Sequence, residues 1–252
     1  MSMNKIFLVA GTEDGRALAE ILSERFDVTA SVVSDYGRKL LTGESVKVND
    51  RPLERDELEK ILLAEKFSAV VDASHPYARN VSANAVDAAR AAQIPYIRYE
   101  RAETLPTYEK VFRVADYVEA ADKARSLGKN IFLTTGSRTL KIFVDRLIDC
   151  NVTARVLPTA EVLSQCEALG LTPKQIVAMQ GPFSVALNVE LFRHAAADVV
   201  VTKNSGQIGG TDTKLTAAEI LRLPVVMIDR PKIFYPNTAT TFDDVLKFLE
   251  GI

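Results

Sequence analysis

Val199-Val200-Val201-Thr202-Lys203-Asn204-Ser205-Gly206, followed by Gly209-Gly210-Thr211-Asp212-Thr213-Lys214, is an apolar run that opens straight into small, hydroxylated and glycine residues. That is the pattern of a buried parallel strand ending in a ligand-binding loop. Glycine permits positive φ and close approach to a ligand, hydroxyls and amides supply hydrogen bonds, and Lys203 and Lys214 supply charge for phosphates or carboxylates. A tight turn flanked by solvated lysines is the plainer reading of a lone Gly-Gly pair. The convergence of so many anion-contacting groups in one stretch favours the binding loop.

The same pattern recurs on both sides of this stretch. Upstream, Ile6–Ala10 closes at Gly11-Thr12-Glu13-Asp14-Gly15-Arg16 before a helical repeat of Leu18, Ile21, Leu22 and Phe26. Strands are expected at Val28–Val33, Val46–Val48, Ala69–Asp72 and Pro95–Arg101, with helices at Asp56–Lys66 and Ala78–Ala92. The pattern lapses around Glu103–Glu109, then resumes with strands at Val111–Val114, Ile131–Leu133, Ala154–Leu157, Ile176–Met179 and Val225–Ile228. Helices are expected at Asp116–Leu127, stopped by Gly128, then through Leu140–Leu147, at Ala160–Leu169, from Ser184 to Ala196, at Thr216–Leu223 and at Phe242–Leu249. Alternation of this kind specifies α/β architecture: two doubly wound Rossmann-like domains, 1–103 and 104–252, with parallel sheets facing an interdomain cleft.

Composition is that of an ordinary globular protein: of 252 residues, 47% are apolar and 25% charged, so neither disorder nor a membrane class is indicated. A formal net charge of −2 gives no electrostatic footprint for nucleic acid. Cys150 and Cys166 are too few and too far apart for a metal cluster or a disulfide framework. With no apolar window of spanning length and no secretory pattern after Met1, a cytoplasmic location is expected.

Each polar cluster falls at a strand's carboxyl end, where such sheets bind ligands. Gly11–Arg16 lacks the G-x-G-x-x-G spacing, and Glu13 and Asp14 already complement the helix dipole there. Thr134-Thr135-Gly136-Ser137-Arg138 is the better phosphate candidate, joining hydroxyls, a glycine and an arginine before a helix with no acidic neighbour. Arg155, or Arg38 with Lys39, stands where a basic residue can meet the ribose phosphate of NADP. His75, between a strand and Pro76, reads equally as a proton donor, a ligand contact or a fastening for the corner, with Asp72 orienting it or capping the loop. No Ser-His-Asp order, metal-ligand spacing or Walker loop occurs.

Taken together, Gly11-Thr12 with Gly15-Arg16, Asp72-Ala73-Ser74-His75-Pro76-Tyr77-Ala78, Arg98-Tyr99-Glu100-Arg101, Thr134–Arg138, Gln180-Gly181-Pro182-Phe183-Ser184 and Lys203–Gly206 with Gly209-Gly210-Thr211 and Lys214 resemble the precorrin-6A and cobalt-precorrin-6A reductases of cobalamin biosynthesis. The resemblance spans nearly the whole chain, and the Ser74–Tyr77 wording leans toward the cobalt branch. It implies a cytoplasmic oxidoreductase that passes hydride from NADPH or NADH, without flavin or catalytic metal, to one double bond of a tetrapyrrole-derived macrocycle. Read with that activity in view, the clusters place cofactor contacts at Thr12, Thr135, Gly136, Ser137, Arg138 and Arg155. Macrocycle contacts are expected at Arg16, Ser74, Tyr77, Arg101, Lys203, Ser205, Gly206, Gly209, Gly210, Thr211 and Lys214, with His75, water or another cleft residue as proton donor.

Two other readings fit a two-domain α/β chain. One is a non-redox tetrapyrrole lyase or synthase resembling uroporphyrinogen-III synthase, which predicts no nicotinamide dependence. The other is a non-catalytic anion-binding protein, which predicts closure on its ligand without chemistry. Neither accounts for the ordered motifs.

Overall fold

The computed structural model describes residues 3–32, 46–49, 53–206 and 209–252. Arg38 and Lys39 lie outside the described residues. The chain divides into two compact units, Met1–Ala102 with Lys232–Ile252, and Glu103–Pro231.

The first unit contains, in chain order, β1 (Lys5–Val9), α1 (Glu13–Ser23), β2 (Asp27–Ser31), β3 (Val46–Asn49), α2 (Arg55–Ala64), β4 (Ala69–Asp72), α3 (Arg79–Ala91) and β5 (Tyr96–Tyr99). Their sheet runs β5-β4-β1-β2-β3, parallel throughout. Both faces are covered: Ile6 and Leu8 pack with Leu18, Leu22 and Val28, while Phe7 and Val70 pack with Leu58, Leu62 and Ala89. This two-sided burial is why the strands read as continuous apolar runs rather than alternating ones.

The second unit contains β6 (Val111–Val114), α4 (Tyr117–Leu127), β7 (Asn130–Leu133), α5 (Leu140–Arg146), β8 (Asn151–Val156), α6 (Ala160–Ala168), β9 (Ile176–Ala178), α7 (Val185–His194), β10 (Val199–Lys203), α8 (Thr211–Ile220) and β11 (Val225–Ile228). Its sheet is again parallel, in the order β6-β11-β10-β7-β8-β9. Val199, Val200 and Val201 are fully buried at its centre. Each such side chain contributes about 1.5–3 kcal/mol, which offsets the polar strand end that follows.

The structure departs from the expected 104–252 domain at the C terminus. A two-residue strand, β12 (Thr238–Ala239), adds to the first sheet beside β5, and α9 (Phe242–Glu250) follows it. Val245 and Leu249 sink into the first unit's core, and Phe242 packs its ring 4.8 Å from that of Tyr99. Short strands carry too little periodicity to be read from sequence. β5 is therefore an inner strand of its sheet, with β12 at the edge.

One helix start also differs from expectation. Helix α8 begins at Thr211 rather than Thr216, so Lys214 stands in its first turn instead of in a loop. Gly128 ends α4 as expected, in an extended conformation at φ −176°. A Cβ there would lie 2.4 Å from the Asp198 Cβ, so close approach is what requires glycine.

Strand order reverses between β1 and β4 in the first unit, and between β7 and β10 in the second. These are the topological switch points at which open α/β sheets take ligands. No helix among the described residues is long and apolar enough to cross a membrane.

Candidate functional site

At the switch point of the second unit, β7 opens into Thr134–Thr139 and β10 into Asn204–Gly210. The two loops are tied together, since the Thr134 amide and hydroxyl both donate to the Val201 carbonyl at 2.9 Å. Thr135 is buried, and its hydroxyl has no partner among the described residues. Gly136 takes φ +80°, and a Cβ there would meet nothing within 4 Å, so the backbone there borders open space. Ser137 is half-buried and Arg138 exposed. A turn through Thr139 separates this loop from the seven-residue α5, so the loop and not a helix N-terminus is what the fold offers an anion.

The β10 loop is built around Thr211. Its hydroxyl accepts from the Ser205 amide at 3.1 Å and donates to the Lys203 carbonyl at 3.2 Å, while its amide donates to the Gly206 carbonyl. Gly206 and Gly210 hold positive φ, and a Cβ on Gly209 would lie 2.3 Å from the Ser205 Cβ. Ser205 and Thr211 are buried. Thr211 therefore shapes the loop with a hydroxyl engaged twice inside the fold.

Four cations gather here from three strand ends. Arg155, buried on β8, donates to the Asn188 carboxamide at 2.7 Å and lies 4.0 Å over the Phe183 ring. Burial lowers its pKa to about 10. Burial, then Arg138, pulls Lys203 down to about 8. Lys214 donates to the Gly209 carbonyl at 2.9 Å, and burial, then Arg155 and Lys203, pull it down to about 7 against the opposing charge of Asp212. A lysine in a first helical turn also opposes the helix dipole. Cations held together at such electrostatic disadvantage form a centre that a polyanion would relieve.

The switch point of the first unit is organised differently. Thr12 caps α1 by accepting from the Gly15 amide at 3.0 Å, and its hydroxyl donates to the Ala73 carbonyl at 3.0 Å. Its hydroxyl is thereby engaged in joining the β1 and β4 loops. A Cβ on Gly15 would meet the Ala73 carbonyl at 3.3 Å, so glycine permits that junction. Arg101 pairs with Asp14 at 2.9 Å. Burial raises the Asp14 pKa, with Arg101 opposing. Arg16 is half-buried in the first turn of α1.

Asp72 closes β4 in a fully buried ion pair with Arg98, 2.7 Å apart. Burial would raise the Asp72 pKa, but Arg98, Ser82 and Ser74 outweigh it and the shift is downward. Ser74 is buried, with its amide donating to Asp72 and its hydroxyl and carbonyl accepting from Arg98. These groups bind Asp72 and Arg98 inside the fold. His75 and Tyr77 are half-buried on the following turn, ring centroids 5.7 Å apart. The Tyr77 amide donates to His75 Nδ1 at 3.2 Å, which places the ring proton on Nε2.

Sequence reading missed Asn188, and it placed Phe183 and Asn204 in motifs without giving either a role. Asn204 is fully buried, accepts from the Thr104 amide at 3.0 Å and donates to the Thr104 carbonyl at 3.1 Å, pinning the segment before β6 to the end of β10. An asparagine after a strand usually reads as a turn residue, so only tertiary contact distinguishes it. Asn188 lies inside a helix and carried no pattern at all.

Among known proteins, the precorrin-6x reductase CbiJ/CobK family model matches residues 5–250. The chain is 42% identical to the cobalt-precorrin-6A reductase of Priestia megaterium over 97% of each chain. It is 36% identical to that of Methanocaldococcus jannaschii over 98% of each, and 36% identical to the precorrin-6A reductase of Rhodococcus erythropolis over 96% of this chain and 95% of the relative. A solved structure of the CobK precorrin-6A reductase superimposes with a TM-score of 0.81 at 26% identity, covering 99% of this chain and 97% of that one. Neither the synthase-like reading nor the non-catalytic one finds support in these matches. The chain belongs to the precorrin-6x reductase CbiJ/CobK family, the precorrin-6A reductases of cobalamin biosynthesis.

Proposed function

We propose that this chain reduces one carbon–carbon double bond of cobalt-precorrin-6A, taking hydride from NADPH or NADH and a proton from His75 or water, in the cytoplasm. The choice of the cobalt form rests on the relatives from Priestia megaterium and Methanocaldococcus jannaschii, which bear that name. The observation that carries the reading is the gathering of Arg138, Arg155, Lys203 and Lys214 around one switch point, with Asp212 as the acidic neighbour that acts on Lys214.

A dinucleotide's phosphates fit the β7 loop on three counts: the Thr135 hydroxyl, unpartnered among the described residues, the open backbone at Gly136 and the exposed Arg138. Thr135, Gly136, Ser137, Arg138 and Arg155 would hold that cofactor, which supplies the hydride when bound. Lys203 and Lys214, with Gly209 and Gly210 allowing close approach, take carboxylate arms of the macrocycle. Arg16, Tyr77 and Arg101 are assigned to the same ligand. Fixed positive charge beside a conjugated acceptor favours electron flow into it, and holding donor and acceptor carbons in contact supplies much of the remaining acceleration. His75, with its proton on Nε2, is the side chain assigned to proton delivery.

Calorimetric titration with NADPH and with NADH tests the cofactor assignment. Wild type should bind at least one of them, and Arg138→Ala and Arg155→Lys should each weaken that binding about tenfold, the loss expected when one charged or stacked contact is removed. Binding undiminished in both variants would remove the cofactor from this loop.

A further inference from the structure

We propose that the buried Asp72–Arg98 pair is a positioning device that sets the Ser74–Tyr77 turn, and with it the orientation of His75. The two residues face each other across β4 and β5, in register and both without solvent exposure. Three of their hydrogen bonds converge on Ser74. Asp72 Oδ1 accepts from the Ser74 amide at 2.9 Å and from Arg98 Nη1 at 2.7 Å. Arg98 Nη1 also donates to the Ser74 hydroxyl at 2.9 Å, and Nη2 donates to the Ser74 carbonyl at 3.0 Å. The main chain is thus gripped on both sides of Ser74, one residue before His75.

Other groups brace the pair and Ser74 itself. The Tyr96 hydroxyl donates to Asp72 Oδ2 at 2.8 Å, the Tyr235 ring lies 5.4 Å from the Arg98 guanidinium, and Ser82 meets the Ser74 hydroxyl at 3.3 Å from α3. Glu100 stands 4.0 Å from Nη2. A buried ion pair is no better for stability than well-packed apolar residues, because desolvation consumes most of the attraction. The neighbouring buried strand positions, Phe7, Leu8, Val9, Val70, Val71 and Ile97, are apolar, so the pair's distinctive contribution is geometry. Downstream, the His75 carbonyl accepts from the Ala78 amide at 2.7 Å and His75 Nδ1 accepts from the Tyr77 amide. A shift at Ser74 therefore moves the ring and loosens the bond that selects its Nε2–H tautomer.

The functional half of this proposal rests on the reductase reading; the geometric half does not. Nitrogen-15 shifts of the imidazoles report it directly, since His75 and His194 are the only two histidines. In the wild-type chain His75 should show an Nε2–H tautomer. Arg98→Lys keeps the charge but cannot bridge the Ser74 hydroxyl and carbonyl, so its two His75 shifts should converge toward a tautomer mixture. In the same variant kcat should fall about tenfold or more through misplacement, with nicotinamide affinity unchanged. Ser74→Ala, which removes only the hydroxyl's contacts, should move the shifts partway and serves as the test if Arg98→Lys does not fold. Variants that melt lower yet keep wild-type His75 shifts would reduce the pair to a structural brace and overturn the proposal. Failure of the wild type to oxidise any nicotinamide would remove the reductase reading alone, because the tautomer measurement needs no substrate.

Discussion

The Lys214 ammonium donates to the Gly209 carbonyl at 2.9 Å, reaching from the first turn of α8 back to the loop that leads into it. The contact holds a buried cation beside Arg155 and Lys203, and its folded-state pKa falls to about 7. A lysine depressed in this way binds its proton more tightly when unfolded. The unfolded chain therefore carries the extra proton between pH about 7 and about 10.4, and stability gained at this site rises with pH across that window. Lys214→Met should accordingly melt higher than wild type at pH 6, with the difference shrinking toward pH 10. Thermal melts of the two proteins over that range check it, and a difference independent of pH would contradict it.

Carboxylate binding requires the charged lysine. The macrocycle KM should therefore rise as pH rises through about 7 and about 8, the values of Lys214 and Lys203. Lys214→Ala should raise the KM for the macrocycle more than that for the nicotinamide and flatten this dependence, while Arg138→Ala should do the reverse. Steady-state kinetics with each substrate varied in turn separates the two. A larger nicotinamide effect in Lys214→Ala would reassign the β10 loop to the cofactor.

Gly209 and Gly136 are glycines for different reasons, and alanine should distinguish them. At Gly209 a Cβ meets the Ser205 Cβ at 2.3 Å and its carbonyl at 2.9 Å, so the backbone itself must move. At Gly136 the space is open and only φ +80° is strained, at a cost of about 1–2 kcal/mol. Gly209→Ala should add to a comparable stability loss a clear rise in macrocycle KM, whereas Gly136→Ala should leave that KM unchanged. Denaturant melts alongside kinetics read both effects.

His75→Ala should lower kcat by about a hundredfold if the imidazole delivers the proton, with nicotinamide affinity unaffected. Turnover at saturating substrate that stays at the wild-type level across the whole pH range would pass the role to water or another group.

Most of the fold was legible because parallel strands buried on both faces appear as short, uninterrupted apolar runs such as Val199–Val201 and Ile6–Val9. Ligand loops announced themselves by the residues at those runs' carboxyl ends. Strand β12 was not legible, since two residues show no period and its role depends on the distant β5. The start of α8 was misplaced because Gly209-Gly210-Thr211 reads as loop composition, whereas left-handed Gly210 is the residue from which the helix starts. Asp72 was visible as a strand-end carboxylate, but its partner Arg98 lies on the next strand inside Tyr96–Tyr99, and only the β4–β5 register brings them together. Thr12, Ser74 and Thr211 carried the right chemistry for ligand contact, yet each spends its hydroxyl inside the fold, which no local pattern reveals.

Hydride transfer to the macrocycle is tested most directly by incubating the folded protein anaerobically with cobalt-precorrin-6A and NADPH or NADH deuterated at the transferring carbon. The account predicts oxidation of at least one nicotinamide in step with macrocycle reduction, and one deuterium carried into the product. No oxidation with either nicotinamide, with cobalt-precorrin-6A or its metal-free form, would contradict it.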